Sequence, residues 1–283
     1  MSRFLQQGDT RMKLGGPVFE ELTDPDAWIE AHRQCGYTAA YWPLDHADGA
    51  WVRAAEEAGL VIAEVGAWSN PLSPDPEQRR AALELCRACL ALADEVGARC
   101  CVNIAGSRGA QWDGPHPDNL TGETFDMIVE TVRSIVDAVK PTRTFYALET
   151  MPWIYPDSPD SYLKLLDATD RPQFAVHLDP VNLVCSPQRY FASGALIREC
   201  LEKLGPHIRS CHAKDVALSG ALTVHLDEVR PGLGGLDYAT FLRGLDTLDD
   251  VPLMLEHLAA PEEYRLAAQY IRDVAAQERL AFT

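Results

Sequence analysis

Short apolar segments alternate with longer segments of helical periodicity along the whole chain. The apolar segments predict strands at Lys13–Phe19, Tyr37–Pro43, Leu60–Trp68, Cys100–Ala105, Thr144–Glu149, Phe174–Asp179, Ile208–His212 and Val251–Glu256. The periodic segments predict helices at Asp26–Cys35, Gly49–Ala58, Pro76–Val96, Thr121–Val139, Ser158–Leu166, Gly194–Leu204, Tyr238–Leu248 and Pro261–Gln277. Glycine after several helices, and Ser, Thr or Asp before others, support these ends.

Strands that alternate regularly with helices predict parallel βαβ units. Eight such units favour a closed (β/α)8 TIM barrel, with residues 1–283 as a single domain, because closure leaves no unpaired strand edge. No G-x-G-x-x-G follows the first predicted strand, which removes the main support for a dinucleotide-binding Rossmann fold. The two longest segments without helical periodicity, Gly106–Leu120 and Asp215–Leu236, follow strands. In a barrel this places them at the catalytic face.

Composition narrows the classes of function. The 283 residues are 47% hydrophobic, carry a net charge of -17 and have a pI near 4.8. Such a surface repels phosphate backbones and anionic membranes, so we expect neither nucleic acid nor membrane as a partner. The N-terminal residues contain no apolar signal core, and no apolar run approaches the ~20 residues of a membrane span, so we expect a cytoplasmic protein. The sequence leaves a homo-oligomer open.

The eight cysteines are expected to be reduced thiols in a cytoplasmic chain of this size. Cys86 and Cys89 form a C-x-x-C, but they lie in a predicted helix rich in Ala and Leu. No second C-x-x-C or pair of histidines follows, which disfavours a zinc or redox site.

Four consecutive predicted strands each end in a residue able to bind a metal: Glu149, Asp179, His212 and Glu256. They are separated by 30, 33 and 44 residues, each about one βα unit. Neighbouring strands of a barrel would therefore bring the four side chains to one rim.

Strand alternation predicts which way these residues point, because side chains two apart share a face. The face shared with the four candidates carries Ala147, His177, Ser210 and Met254. The opposite face is bulky and apolar, with Tyr146, Leu148, Val176, Leu178, Leu253 and Leu255. The apolar face suits packing against helices, so the candidates are predicted to point into the barrel mouth.

Three carboxylates crowded at one rim would repel one another, and a divalent cation is the simplest way to stabilise them. Three oxygens and one imidazole favour Mn²⁺ or Mg²⁺, with Co²⁺ or Zn²⁺ also compatible. The remaining coordination positions would suit an α-hydroxyketone, whose enediolate such a metal stabilises. Glu149 and Glu256, at opposite ends of the set, are the candidate catalytic base and acid.

Other polar residues are assigned to the substrate with an alternative beside each. His177 contacts substrate or supports the ligands from below. Lys214 binds a substrate oxygen or pairs with Asp215. Arg230 and His225, in the long loop after the seventh predicted strand, either reach the pocket or stay in solvent.

Aromatic and acidic residues near the strand ends add further candidates. Trp68 and Trp112, with Trp153, follow predicted strands and either stack on the apolar face of a sugar or pack at the rim. Glu64, inside the third predicted strand, is a candidate pocket carboxylate. His257 is expected to face the helices in a structural role.

At this point the chain resembles the xylose isomerase-like TIM barrel superfamily of sugar isomerases and epimerases over nearly its whole length. The resemblance is carried by the strand that ends in Glu149 and by the segments His177–Asn182, His212–Asp215, Pro231–Asp237 and Glu256–His257. In that family a Glu, Asp, His, Glu quartet binds the catalytic divalent metal. The resemblance thus implies that Glu149, Asp179, His212 and Glu256 are its ligands, and Asn182 is assigned to the substrate site.

Departures from two branches restrict the activity that the resemblance implies. Ketose 3-epimerases carry Glu, His and Arg where this chain has Tyr155, Asn182 and Leu218. The Lys214–Asp215 pair looks more like the inosose dehydratase and isomerase branches. The abasic-site endonucleases hold extra histidines that are missing here at Asn182 and in the stretch Leu226–Val229.

The function predicted from the sequence is a metal-dependent isomerase or epimerase acting on a sugar, keto-sugar or cyclitol through an enediolate. One alternative is a lyase of the inosose-dehydratase or deglycosidase type, because the same enediolate can expel a β-leaving group. The other is a sugar-binding barrel without catalysis. The partner expected in each case is a small carbohydrate.

Overall fold

Eight parallel strands close into a barrel in the computed structural model, which describes residues 12–43 and 48–282. The barrel strands are β1 (Lys13–Gly15), β2 (Ala39–Tyr41), β3 (Val61–Gly66), β4 (Cys100–Asn103), β5 (Tyr146–Glu149), β6 (Phe174–Leu178), β7 (Ile208–Ala213) and β10 (Pro252–Leu255), while β8 (Asp215–Leu218) and β9 (Leu226–Val229) form a separate hairpin. The order around the barrel is β1-β10-β7-β6-β5-β4-β3-β2. The predicted (β/α)8 barrel is therefore confirmed.

The first strands are shorter than predicted. Strand β1 ends at Gly15, whereas its apolar segment continues to Phe19. Pro17 has no N–H to donate to a ladder, and the Phe19 side chain is 52% exposed, so the chain leaves the sheet before the apolar segment ends.

Helices surround the barrel and begin and end close to the predicted residues. They are α1 (Pro25–Cys35), α2 (Gly49–Ala58), α3 (Pro76–Val96), α4 (Gly122–Val139), α5 (Pro159–Thr169), α6 (Pro187–Phe191), α7 (Ser193–Leu204), α8 (Tyr238–Leu245) and α9 (Pro261–Gln277). Ser158 forms a capping box with Ser161 at the start of α5, and Gly97 ends α3 in the left-handed conformation. Gly205 differs from Gly97, since its φ of -43° leads into a 3-10 turn. Within the described ranges, no helix is both long and apolar enough to cross a lipid bilayer.

The main apolar core lies between the barrel and the helices. It contains the whole predicted outward face, namely Tyr146, Leu148, Val176, Leu178, Leu253 and Leu255, all buried. A smaller cluster of Cys100, Val102 and Ala147 is separate from that layer. Cys86 is buried against Ser69, Asn103 and Tyr146, so the C-x-x-C segment packs into the core.

The long loop after β7 is not irregular throughout, because it contains the β8–β9 hairpin. The buried carboxylate of Asp215 organises the segment that returns to the barrel. Its oxygens accept hydrogen bonds from the backbone N–H groups of Val216, Gly232, Gly234 and Leu236. A Cβ at position 234 would collide with this carboxylate, so the loop requires glycine there. The other long loop ends in a 3-10 turn, Pro117–Leu120.

Candidate metal centre and its cavity

The four predicted ligands converge at the carboxyl end of the barrel. Glu149 ends β5, Asp179 directly follows β6, His212 lies near the end of β7, and Glu256 directly follows β10. These strands are consecutive neighbours in the barrel. One ligand atom from each residue lies within 4.8 Å of all the others. The fold thus creates a compact set of three oxygens and one nitrogen.

His212 faces carboxylates on both sides of its ring. Its Nδ1 lies 3.2 Å from Glu149 Oε1 and 2.8 Å from Glu256 Oε1. Its Nε2 lies 3.4 Å from Glu64 Oε2, on the opposite edge of the ring. Nδ1 is therefore the nitrogen that is aimed at Glu149 and Glu256. Surrounding negative charge outweighs burial and raises the pKa of His212 well above its usual value.

Glu64 forms a buried polar floor beneath this set. Its Oε1 lies 2.9 Å from His177 Nε2 and also accepts a hydrogen bond from the Ser210 hydroxyl. Burial by itself would raise the pKa of Glu64, but His177 and His212 outweigh it and hold the pKa far below its usual value. The floor is thus an ionised carboxylate whose negative charge faces Nε2 of His212, without a hydrogen bond of normal geometry between the two atoms.

The ammonium of Lys214 lies among the quartet carboxylates. Its Nζ is 2.6 Å from Glu256 Oε1, 2.9 Å from Asp179 Oδ2 and 3.6 Å from Glu149 Oε1. The side chain is only 3% exposed. Burial lowers the pKa of Lys214, but the carboxylates outweigh that effect and raise it above its ordinary value. Lys214 therefore supplies an internal positive charge, and the predicted alternative of pairing with Asp215 is wrong.

The two oxygens of Asp179 have different surroundings. Oδ1 accepts hydrogen bonds from the N–H groups of Val181 and Asn182, which begin a 3-10 turn. Oδ2 points to Lys214. Burial, together with repulsion from Glu149 and Glu256, raises the pKa of Asp179 to about 6 although Lys214 acts to lower it. One oxygen is therefore held by the backbone and the other is left for a cation.

The donor set fits a divalent cation. Asp179 Oδ2 and Glu256 Oε1 are buried, yet neither accepts a hydrogen bond of normal geometry from the described residues, despite the nearby ammonium. Buried oxygens without such partners are costly, and a metal would satisfy them. Three carboxylates and one imidazole match ions of the Mn²⁺ or Mg²⁺ type. Glu149, Asp179, His212 and Glu256 would hold the ion.

A cavity of about 530 Å³ opens directly above the quartet. Its walls include Trp68, Trp112 and Trp153, which remain 41%, 40% and 39% exposed. The ring centroid of Trp68 is 6.4 Å from that of His212. The aromatic wall therefore adjoins the quartet.

Several residues predicted to contact substrate lie at this cavity. Trp68, Trp112, Asn182 and Lys214 all line it. The Asn182 side-chain amide donates to Glu149 Oε1 at 3.0 Å and to the Thr150 carbonyl at 3.0 Å. Asn182 therefore also holds Glu149 in place.

Other predicted residues lie elsewhere. His177 is fully buried in the floor and does not line the cavity. Arg230 does not line it either, since its guanidinium donates to Glu263 at 2.8 Å. His225 remains in the hairpin segment, where Nδ1 lies near the Thr223 carbonyl. His257 was expected to face the helices, and this is wrong: it is exposed at the rim, 3.3 Å from Glu228.

The sequence interpretation missed Tyr41, Glu228 and Tyr264, which also line the cavity. Tyr41 is the last residue of β2, but the predicted strand continued to Pro43, so the sequence did not place Tyr41 at a strand end. Glu228 lies in β9, within the hairpin that periodicity did not reveal. Its contribution depends on how that hairpin folds over the barrel mouth.

Solved structures share this fold at low sequence identity. A xylose isomerase-like TIM barrel protein from Mycobacterium smegmatis in complex with magnesium has a TM-score of 0.64 and 16% identity, covering 90% of each chain. The 3-keto-D-glucoside 4-epimerase from E. coli has a TM-score of 0.67 and 15% identity, over 93% of this chain and all of the other. The probable 3-DHS dehydratase of petrobactin synthesis from Bacillus anthracis has a TM-score of 0.68 and 14% identity, over 93% and 98%.

Sequence comparison places the chain more directly. No curated protein is similar enough in sequence to count as a match. The family model described as "xylose isomerase-like TIM barrel" matches residues 27–274, which include all four quartet residues. Since this match spans most of the chain and agrees with the closed barrel, the protein belongs to the xylose isomerase-like TIM barrel family.

Proposed function

We propose that this protein is a divalent-metal-dependent isomerase or epimerase that acts on a sugar, keto-sugar or cyclitol. The observation that carries the proposal is the buried quartet Glu149, Asp179, His212 and Glu256 beneath an open cavity. The keto-glucoside epimerase with the same fold supports this class of reaction. Mn²⁺ or Mg²⁺ is the proposed ion, and the magnesium complex of the Mycobacterium smegmatis protein supports the latter.

A cation bound by the quartet would withdraw electron density from a keto oxygen of the substrate and so acidify the neighbouring C–H. The residues of the chain then need to accept and return one proton. Glu149 and Glu256 line the cavity, so both can reach a substrate held there.

Glu149 is suited to act as a base. Burial tends to raise its pKa, but His212 and Lys214 outweigh burial and hold the pKa below its usual value. The carboxyl is therefore ionised at neutral pH. Asn182 donates to its Oε1 and so limits its rotation. An oriented carboxylate of this kind typically contributes about 10²–10⁴-fold to proton transfer.

Glu256 follows the strand at the opposite end of the quartet from the strand of Glu149. It is also ionised, because His212 keeps its pKa below the usual value despite burial. A proton that Glu149 removes from one face of the substrate could be returned by Glu256 to the other face. Such a two-base arrangement accounts for epimerisation, whereas return by a single group accounts for isomerisation.

The proposal is tested by deuterium uptake into keto-sugars in D₂O, with Mn²⁺ present and metal content measured. We expect wild-type protein to exchange the C–H beside the ketone, and Glu149→Gln and Glu256→Gln to reduce exchange by about 10²-fold or more. Glu228→Gln, which changes a cavity carboxylate outside the quartet, is the matched control for metal retention. If both quartet variants keep metal and exchange at the wild-type rate, the assignment of the bases fails.

A lyase is the second candidate, favoured by the dehydratase with the same fold. Loss of the same proton can expel a leaving group from the next carbon. A lyase product would contain a conjugated carbonyl that absorbs in the ultraviolet, whereas an epimer or isomer would not. Binding of keto-sugars with neither exchange nor absorbance change would instead leave a sugar-binding barrel.

A further inference from the structure

Three tryptophans form an aromatic wall on one side of the cavity. Trp68 follows β3, Trp112 lies in the loop after β4, and Trp153 follows β5, so consecutive loops supply them. About two fifths of each side chain is exposed, although large aromatic side chains are usually more deeply buried. Exposed aromatic surface gathered in a concave site is typical of ligand binding.

The wall is held in place by its own hydrogen bond. Trp153 Nε1 donates to the carbonyl of Asp113 at 2.7 Å, and Asp113 is next to Trp112 in the chain. This bond ties the loop after β5 to the loop after β4. The Trp153 ring is therefore held in place before a ligand binds, which reduces the entropy lost on binding.

The polar lining is unsuited to a negatively charged substituent. Lys214 and His257 are the only basic residues among the described residues that line the cavity. Lys214 is engaged by the quartet carboxylates, and His257 is close to Glu228. No described arginine lines the cavity to clamp a phosphate, and Asp113 and Glu228 add negative charge there.

The cavity also has room beyond one sugar ring. Its volume of about 530 Å³ lies within the range of about 300–1,000 Å³ that encloses drug-sized ligands. Trp68 lies beside His212 and can stack on the ring that reacts. Trp112 and Trp153 remain as apolar surface for a second group.

We propose that the substrate is an uncharged keto-glycoside, with its keto-sugar ring at the quartet and a flat apolar aglycone against Trp112 and Trp153. This inference rests on the proposed function for the chemistry, but the preference for an apolar aglycone is a property of the wall itself. It predicts selection against phosphorylated sugars.

The test measures, by tryptophan fluorescence, the binding of four probes to the 283-residue chain in the presence of Mn²⁺. The probes are phenyl β-D-glucopyranoside, methyl β-D-glucopyranoside, glucose and glucose 6-phosphate. We expect the phenyl glucoside to bind about tenfold or more tightly than the methyl glucoside, and glucose 6-phosphate to bind more weakly than glucose. Equal or weaker binding of the phenyl glucoside, its failure to bind up to its solubility limit, or tighter binding of the phosphate would overturn the inference.

Variants of the wall separate stacking from general loss of structure. Trp112→Ala is expected to weaken binding of the phenyl glucoside about tenfold and binding of the methyl glucoside by less than about twofold. Trp153→Phe retains a ring but loses the hydrogen bond to Asp113. Its affinity for the phenyl glucoside should therefore lie between those of wild type and Trp153→Ala. Phe191→Ala, an exposed aromatic residue outside the cavity, is the matched control. Equal losses for both glucosides in Trp112→Ala would overturn the aglycone assignment.

Failure here is distinguishable from failure of the proposed function. Binding of these probes requires no proton transfer, and deuterium exchange by Glu149 and Glu256 requires no aglycone. A phenyl preference without exchange would retain the glycoside site and refute the isomerase. Deuterium exchange into free or phosphorylated keto-sugars, without a preference for the phenyl glucoside, would retain the isomerase and refute the glycoside site.

Discussion

Lys214→Met should destabilise the metal-free protein and strengthen metal binding. The ammonium lies 2.6 Å from Glu256 and 2.9 Å from Asp179, in a site almost closed to solvent. Methionine keeps much of the apolar stem and removes the charge. Removal of one partner from a buried ion pair typically costs about 3–5 kcal/mol, because the remaining charges stay buried without compensation.

The expected loss of stability corresponds to a lower melting temperature. At about 2–3 °C per kcal/mol for a chain of this size, the metal-free variant should melt about 6–15 °C below wild type. A bound divalent cation compensates the same carboxylates, so the difference should shrink in excess Mn²⁺. By linkage, each 1.4 kcal/mol recovered corresponds to about tenfold tighter metal binding.

The assay is thermal unfolding of both proteins in EDTA and in Mn²⁺, with metal affinity measured independently by titration calorimetry. It should be run at pH 7.5, above the pKa of about 6 of Asp179, so that this carboxyl is ionised. Lys164→Met, at an exposed position of α5, is the control and should change stability by about 0.5 kcal/mol or less. A metal-free variant as stable as wild type, or one that binds Mn²⁺ more weakly, would refute the reasoning.

Three further predictions concern positions around the site and away from it. Glu64→Gln removes the charge facing His212 Nε2 and should weaken metal affinity by about 10–100-fold in calorimetry, and an unchanged affinity would contradict the positioning role. Asp215→Asn replaces an acceptor oxygen and should cost about 1–3 kcal/mol for each N–H left unpaired, seen as a lower urea midpoint. Burial lowers the pKa of His32, so the unfolded chain binds a proton first and stability falls as the pH drops below about 6.5. His32→Phe should lessen that loss of stability, measured as the free energy of unfolding in urea titrations between pH 5 and 7. If the free energies of wild type and variant fall in parallel with pH, His32 is not the cause.

Local sequence patterns were sufficient for the barrel and for the membership of the quartet. Apolar segments of strand length alternated with periodic helices, and each of four consecutive strands ended in a possible ligand. Alternation also identified the inward face correctly, because the pleat of a strand imposes a period of two wherever the chain is extended. The same rule places Lys214 on the face of His212 and Asp215 on the opposite one. The structure agrees with that rule, since Lys214 joins the quartet and Asp215 binds the backbone of its loop.

What the sequence determined by itself was therefore the order of elements, the inward faces and the residues at the strand ends. Tertiary structure decided how those residues meet. Glu64 contacts His177 and Ser210 across 113 and 146 residues of chain, and no local period encodes such pairs. The sequence pattern also did not predict the hairpin that brings Glu228 to the cavity. The physical reason is that strand ends are set by nearest neighbours in sequence, whereas the charge balance and shape of the site arise only when distant strands close into one barrel.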